Sequence, residues 1–284
     1  MLNRKSLDYK DILDHVRTIR KENYGSDDIN IIERVLWDVV DLFSGKRKGF
    51  QKCDTRYHDL LHTFQVVLPF IGIIDGWNKN KNKPAISREF FDLGVIAVLL
   101  HDTGYIKTEN DVEGTGAKYT FVHTQMSANF AENYLSQTGF EKNQIFSVKN
   151  IIMCTGVKVD YEKIRFGSEE ERIAGYALGT ADLLGQMSAV DYPEKLRALF
   201  SEFEEAYRYE GLEKLREGGL AIFENANDLI KKTPFFYEVV VAERFKRLGS
   251  MHEYLIYHFK DSRNHYIEAI EENIKKIKYA YLRQ

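Results

Sequence analysis

Tyr57-His58-Asp59-Leu60-Leu61-His62-Thr63 and, about forty residues on, Leu93-Gly94-Val95-Ile96-Ala97-Val98-Leu99-Leu100-His101-Asp102 are the stretches from which this chain is read. His58 and His62 stand four residues apart, which places both imidazoles on one face if the segment is helical. The run from Leu93 to Leu100 lacks any polar side chain and reads as a buried element, so it carries His101 and Asp102 to the end of a core helix. An isolated charge there costs several kcal/mol, about the scale at which burial forces a polar group to find a partner. A divalent ion serves both groups at once. Neutral imidazole together with carboxylate is the ligand set of zinc, manganese, iron and other first-row sites.

Around these stretches the pattern is helical throughout. The chain has 284 residues, 44% of them apolar, and only four prolines. Long segments repeat at helical period and few alternate at period two, which predicts an all-α fold. The spacing predicts a first helix over residues 7 to 23. A second carries Ile31 to Phe43, with Ser26 or Asp27 as its N-cap. The helix bearing His58 and His62 is expected to begin near Asp54 or Thr55, and Pro69 either kinks or ends it. A helix from Ser87 to Leu100 follows, with Gly104 suited to its C-terminal turn. Thr108 to Tyr119 reads as an exposed loop, either a lid or a plain connection.

Further on, His123 opens a helix that Gly139 ends, and the next stops near Cys154-Thr155-Gly156. A helix from Glu169 to Met187 buries a stripe of Ala and Leu that Asp182 interrupts. Phe200, Phe203 and Tyr207 read as core. Pro234 is expected to begin a helix running through Phe245, and His265 to Tyr281 forms the last. No linker or repeat stands out, so residues 1–284 read as one helical domain. Its core spans about 50–190, with a helical elaboration over 191–284 that either covers the site or forms a homodimer interface.

The charge is mixed, with a net value of −3 and a pI near 6.3. That balance gives no footprint for a nucleic acid polymer or an anionic membrane. Two cysteines without a CxxC spacing argue against a disulfide framework and for a reducing cytoplasm. The N-terminus lacks the apolar core of a signal peptide. No apolar run approaches the roughly 18 residues that span a bilayer.

An isolated His, a His-Asp pair and a later Asp in an Ala-Asp dipeptide, here His62, His101-Asp102 and Asp182, resemble the HD superfamily of metal-dependent phosphohydrolases. Tyr57-His58-Asp59-x-x-His62 further resembles the Tyr-His-Asn-x-x-His signature of its cyclic nucleotide phosphodiesterase branch, with Asp59 in place of the Asn. The resemblance covers roughly Asp54 to Met187 and implies an HD-type helical bundle. It implies that His62, His101, Asp102 and Asp182 ligate a divalent ion (Mn, Mg, Fe, Co, Ni or Zn), with Asp102 essential to turnover. It gives His58 the role of acid toward the leaving oxygen, against a supporting or surface role for that residue. His123 stands where two-metal members place a ligand to a second ion, and is otherwise structural. The position of a further second-ion ligand reads Cys154-Thr155, so that site is complete only if Cys154 or water fills it.

What the resemblance implies is hydrolysis of a small phosphate ester, a nucleotide or cyclic nucleotide being favoured, by a metal-activated water. Two alternatives remain: a di-iron oxygenase on the same scaffold, and a non-catalytic regulatory module that binds metal or nucleotide. Lys107, Lys118 and Lys158 lie in loops near the motifs, either as phosphate contacts or as solvated lysines. His258 and His265, two turns apart, make at most a separate metal pair and more naturally serve the surface or packing. No P-loop or nucleophile-elbow motif is present.

Overall fold

The structure is a computed structural model describing residues 7–81, 83–156, 159–220 and 222–282. It is all-α, and among the described residues no strand forms beyond an isolated bridge between Phe50 and Thr108. The helices are α1 (Tyr9–Tyr24), α2 (Asn30–Phe43), α3 (Leu60–Lys79), α4 (Arg88–Leu100), α5 (His123–Ser136), α6 (Lys142–Ile152) and α7 (Glu169–Ser188). There follow α8 (Tyr192–Glu210), α9 (Leu212–Glu217), α10 (Ala226–Phe235), α11 (Ala242–Arg247), α12 (Leu255–Phe259) and α13 (His265–Leu282).

The central element is α3. Every residue from His62 to Trp77 is buried, as expected of a helix that is apolar all round. By length and composition α3 is long and apolar enough to cross a membrane, contrary to the sequence reading, yet 89% of that apolar window is buried inside the protein. It packs against α7, α4, α1 and α12. The backbones of α3 and α7 come so close that a side chain on Gly185 would fall 2.8 Å from the carbonyl oxygen of Gln65. Pro69 lies within α3 and does not end it. Buried apolar side chains from Leu7 to Ile277 form one contiguous cluster. One buried ion pair spans it: Arg20 Nε and Nη2 donate to the two oxygens of Asp92 at 2.8 and 2.9 Å.

Several local expectations are corrected. The helix α2 begins at Asn30 without a side-chain cap, because Ser26 Oγ accepts from Arg20 and Asp27 pairs with Lys21. The helix α3 begins at Leu60 with Asp59 as its N-cap, its Oδ1 accepting from the His62 amide at 2.9 Å. His58 therefore precedes the helix instead of sharing a face with His62. Asp and Asn are near-equal as N-caps, so the cap accounts for Asp59 where the resembling signature has Asn. Gly104 serves close approach and not a left-handed turn: a Cβ there would lie 2.1 Å from the carbonyl oxygen of His123.

Pro234 sits near the end of α10, which begins at Ala226, and a π-helical segment, Phe236–Val241, follows before α11. The proline lacks the N–H that would bond Ile230, and such a gap favours a widened turn.

The Thr108–Tyr119 segment is exposed only in part. Thr115 is fastened to Glu205, with Thr115 Oγ1 donating to Glu205 Oε2 at 2.6 Å. The Gly116 amide donates to Asp54 Oδ1 at 2.7 Å. Lys107 and Lys118 are buried, donating to the Gly114 carbonyl and to Asp111. These lysines hold the loop together and do not line the cavity described below. Lys158 lies outside the described residues.

Candidate metal centre

Four elements deliver the polar cluster. The first turn of α3 presents His62; the end of α4 presents His101 and Asp102; the start of α5 presents His123; and Asp182 projects from the middle of α7. His62 Nε2 lies 3.2 Å from Asp182 Oδ1 and 3.5 Å from Asp102 Oδ2. His101 Nε2 lies 3.4 Å from Asp102 Oδ2 and 3.8 Å from Asp182 Oδ1. The candidate ligand atoms of His62, His101 and Asp102 all fall within 4.8 Å of one another, and all three residues are buried. Asp102 turns its other oxygen, Oδ1, toward His123 Nε2 at 3.7 Å.

The tautomers follow from the backbone. His101 Nδ1 is 2.7 Å from the Val98 carbonyl and His123 Nδ1 is 2.7 Å from the Thr120 carbonyl. A carbonyl only accepts, so each Nδ1 carries the proton and each Nε2 turns a lone pair inward, the arrangement that a ligating histidine requires. His101 Nε2 and Asp102 Oδ2 are buried and lack a hydrogen-bond partner. A lone pair and a carboxylate oxygen facing each other need a cation between or beside them. The donor set thus fits a divalent ion, and the buried His62–His101–Asp102 group is a site able to hold one. Burial opposes the charge on Asp102, but the imidazoles around it, His101 foremost, hold its carboxyl below the usual range. Burial also opposes the charge on Asp182, which the hydrogen bond from His62 foremost holds well below that range. Burial pushes His123 down to about 4 despite the neighbouring Asp102.

His58 stands beside this cluster under different control. Its Nδ1 lies 2.6 Å from Glu202 Oε2, and the other oxygen of Glu202 accepts from the Tyr57 amide at 2.6 Å. Burial works against a charged ring, but the Glu202 carboxylate outweighs it and raises His58 to about 9. The ring stacks on Tyr105 at 4.5 Å, and Tyr105 stacks in turn on His123 at 4.4 Å. Glu202 was not anticipated from sequence. It lies three residues after Leu199 and four before Ala206, both buried, so a carboxylate interrupting an apolar stripe was its signal, as it was for Asp182.

Cys154 is not a ligand to this cluster. Its Sγ is fully buried and packs beside Gly175, in a small cluster with Tyr161 and Leu248. At Thr155 the chain instead meets Arg244. The guanidinium donates from Nη2 to the Thr155 carbonyl at 3.1 Å and to that of Gly156, and from Nε to the Tyr161 hydroxyl at 3.0 Å. The charge of Arg244 acts on Asp182. The distant histidines form no metal pair: His258 Nδ1 lies 2.6 Å from Asp75 Oδ2, and His265 pairs with Asp261 and Glu268.

The cluster opens into a cavity of about 620 Å³. His58, Asp102, His123 and Asp182 form its polar end, Arg244 also lines it, and α8, α10 and the π-helical segment form much of its walls. Residues 191–284 therefore supply walls of the space over the site. Against known proteins, residues 2–257 match the Npun_R2479-like family, and the chain belongs to it. No curated protein and no solved structure matches it.

Proposed function

We propose that the protein is a metal-dependent phosphohydrolase of the HD type. The observation that carries this reading is the pair of orphaned buried atoms, His101 Nε2 and Asp102 Oδ2, the second belonging to a residue that lines the floor of a cavity beside His58. His62, His101, Asp102 and Asp182 would hold the ion, with Asp102 Oδ1 and His123 available to a second, weaker one. When bound, a divalent ion supplies Lewis-acid polarisation of a phosphoryl oxygen and acidifies a water. The chain supplies the rest. Glu202 holds the proton on His58, which gives that ring a proton to donate to a leaving oxygen. Arg244 lines the same cavity as a fixed positive charge for an anionic group. Tyr105 stacks on both the His58 and the His123 rings and fixes their positions. The reading also takes residues 1–284 as one domain, supported by the contiguous apolar cluster.

The oxygenase alternative is disfavoured by Cys154, which turns away from the cluster where a further histidine would be needed. The first test is metal content by plasma mass spectrometry on wild type and Asp102→Ala side by side, followed by a phosphoester panel with manganese and magnesium. About one divalent ion in wild type, lost with turnover in the folded variant, supports the reading. Two irons per chain with oxygen uptake would favour the oxygenase. Metal binding without turnover of any ester would favour a regulatory module.

A further inference from the structure

The cavity above the metal cluster has a chemistry of its own. From the His58–Asp102–Asp182 end it extends between α8 and α10, along Leu199, Phe203, Phe223 and Leu229, to Val239 and Val240 of the π-helical segment. Val239 and Val240 are half exposed, as is neighbouring Phe235, while Arg247 at the same margin is exposed. The space is thus a cavity with a polar floor, largely apolar walls and a margin where Val239 and Val240 stand beside the charged Glu243 and Arg247. Pockets of this size bury most of a drug-sized ligand, with a few polar groups fixing its orientation.

Most of the uncharged polar side chains along the walls are already engaged, the buried Tyr105 hydroxyl, which lacks a partner, being an exception. Gln186 pairs with the hydroxyl of Tyr57. Thr120, Thr155 and Thr233 each donate to a carbonyl of their own turn, at 2.6, 2.9 and 2.9 Å. The Tyr161 hydroxyl accepts from Arg244. A ribose or a base edge seated here would give up its water for walls with few free partners, which is unfavourable. A hydrocarbon chain would lose nothing.

We propose that the substrate is a phosphate monoester of a long apolar alcohol, of alkyl or prenyl type. Its phosphate would be met by the divalent ion that Asp102 and Asp182 help to hold and by Arg244, and its chain lies between α8 and α10 toward Val240. This rests on the phosphohydrolase reading and narrows its substrate from a nucleotide to an amphiphile. Hydrolysis adds the elements of water across the P–O bond: oxygen from water goes to phosphorus, and a proton goes to the departing alkoxide.

The test uses the full chain loaded with manganese and a series of non-hydrolysable alkyl phosphonates of four, eight and twelve carbons, below their micelle concentrations, titrated by calorimetry. Turnover of the matching alkyl phosphates, p-nitrophenyl phosphate and cyclic and linear nucleotides is measured alongside. Affinity should tighten about three- to fourfold per methylene while the chain is still being buried. In Val240→Glu, at a half-exposed site where folding is not at stake, the ratio of twelve-carbon to four-carbon affinity should fall at least tenfold. The twelve-carbon phosphate should be the preferred substrate. A flat series with nucleotides turned over overturns the substrate class and leaves the phosphohydrolase reading standing. A steep series with no ester hydrolysed overturns both, and makes the cavity a carrier site for amphiphilic anions.

Discussion

His58 and Glu202, separated by 144 positions in the chain, meet at 2.6 Å with both side chains largely buried. The carboxylate also anchors the Tyr57 backbone, so one glutamate of α8 fixes both the position and the proton of the histidine beside the metal cluster.

Glu202→Gln should release that proton. In wild type the His58 ring, followed by NMR on labelled histidine, should stay charged until pH nears about 9. In the variant its titration should fall toward or below the ordinary value near 6.5. The sign of the stability effect follows: a raised histidine contributes stability below its unfolded pKa, and that contribution is lost as pH rises from about 6.5 through about 9. Removing one partner should cost about 3 kcal/mol near neutral pH by denaturant titration. An unchanged His58 titration would contradict the pairing.

The cost of losing Asp102 should depend on metal. With a chelator present, Asp102→Ala removes a carboxylate whose charge its surroundings favour but whose Oδ2 lacks a partner, two opposing effects, so the variant should lie within about 1 kcal/mol of wild type. With manganese added, wild type should gain thermal stability and the variant should not. A variant that is destabilised by the same amount under both conditions would make the aspartate structural.

Cys154→Ser should leave metal content unaltered, because the thiol packs beside Gly175 and away from the cluster. Burial pushes the Cys154 thiol up, so it should also resist alkylation in the native protein while reacting on unfolding. Loss of metal in the variant would place the sulfur in the site after all.

Arg20→Met strands Asp92, whose two oxygens both accept from the guanidinium. The expected loss is about 3–5 kcal/mol in denaturant unfolding. Arg20→Met combined with Asp92→Leu should recover much of it, since the uncompensated charge is then gone.

By itself, the sequence determined the helices and most of what they carry. The apolar run from Leu93 to Leu100 fixed a buried α4 and put His101 and Asp102 at its end, and the Ala and Leu stripe of α7 marked Asp182. These features rest on interactions within a few residues, a turn of helix or a cap, and such interactions leave a periodic trace. Tertiary structure decided what surrounds them. It moved His58 off the helix, because Asp59 capped α3 and ended the helical pattern there. It supplied Glu202 to His58 and Arg244 to Thr155, contacts that depend on where α8 and α11 dock. It turned Lys107 and Lys118 inward to hold their loop, although in sequence they looked like any loop lysines. It also built the cavity from α8, α10 and the π-helical segment, whose apolar residues read as plain core in sequence. Periodicity reports that a side chain is buried, but only the packing of distant helices decides whether it is buried against protein or faces a space left for a ligand.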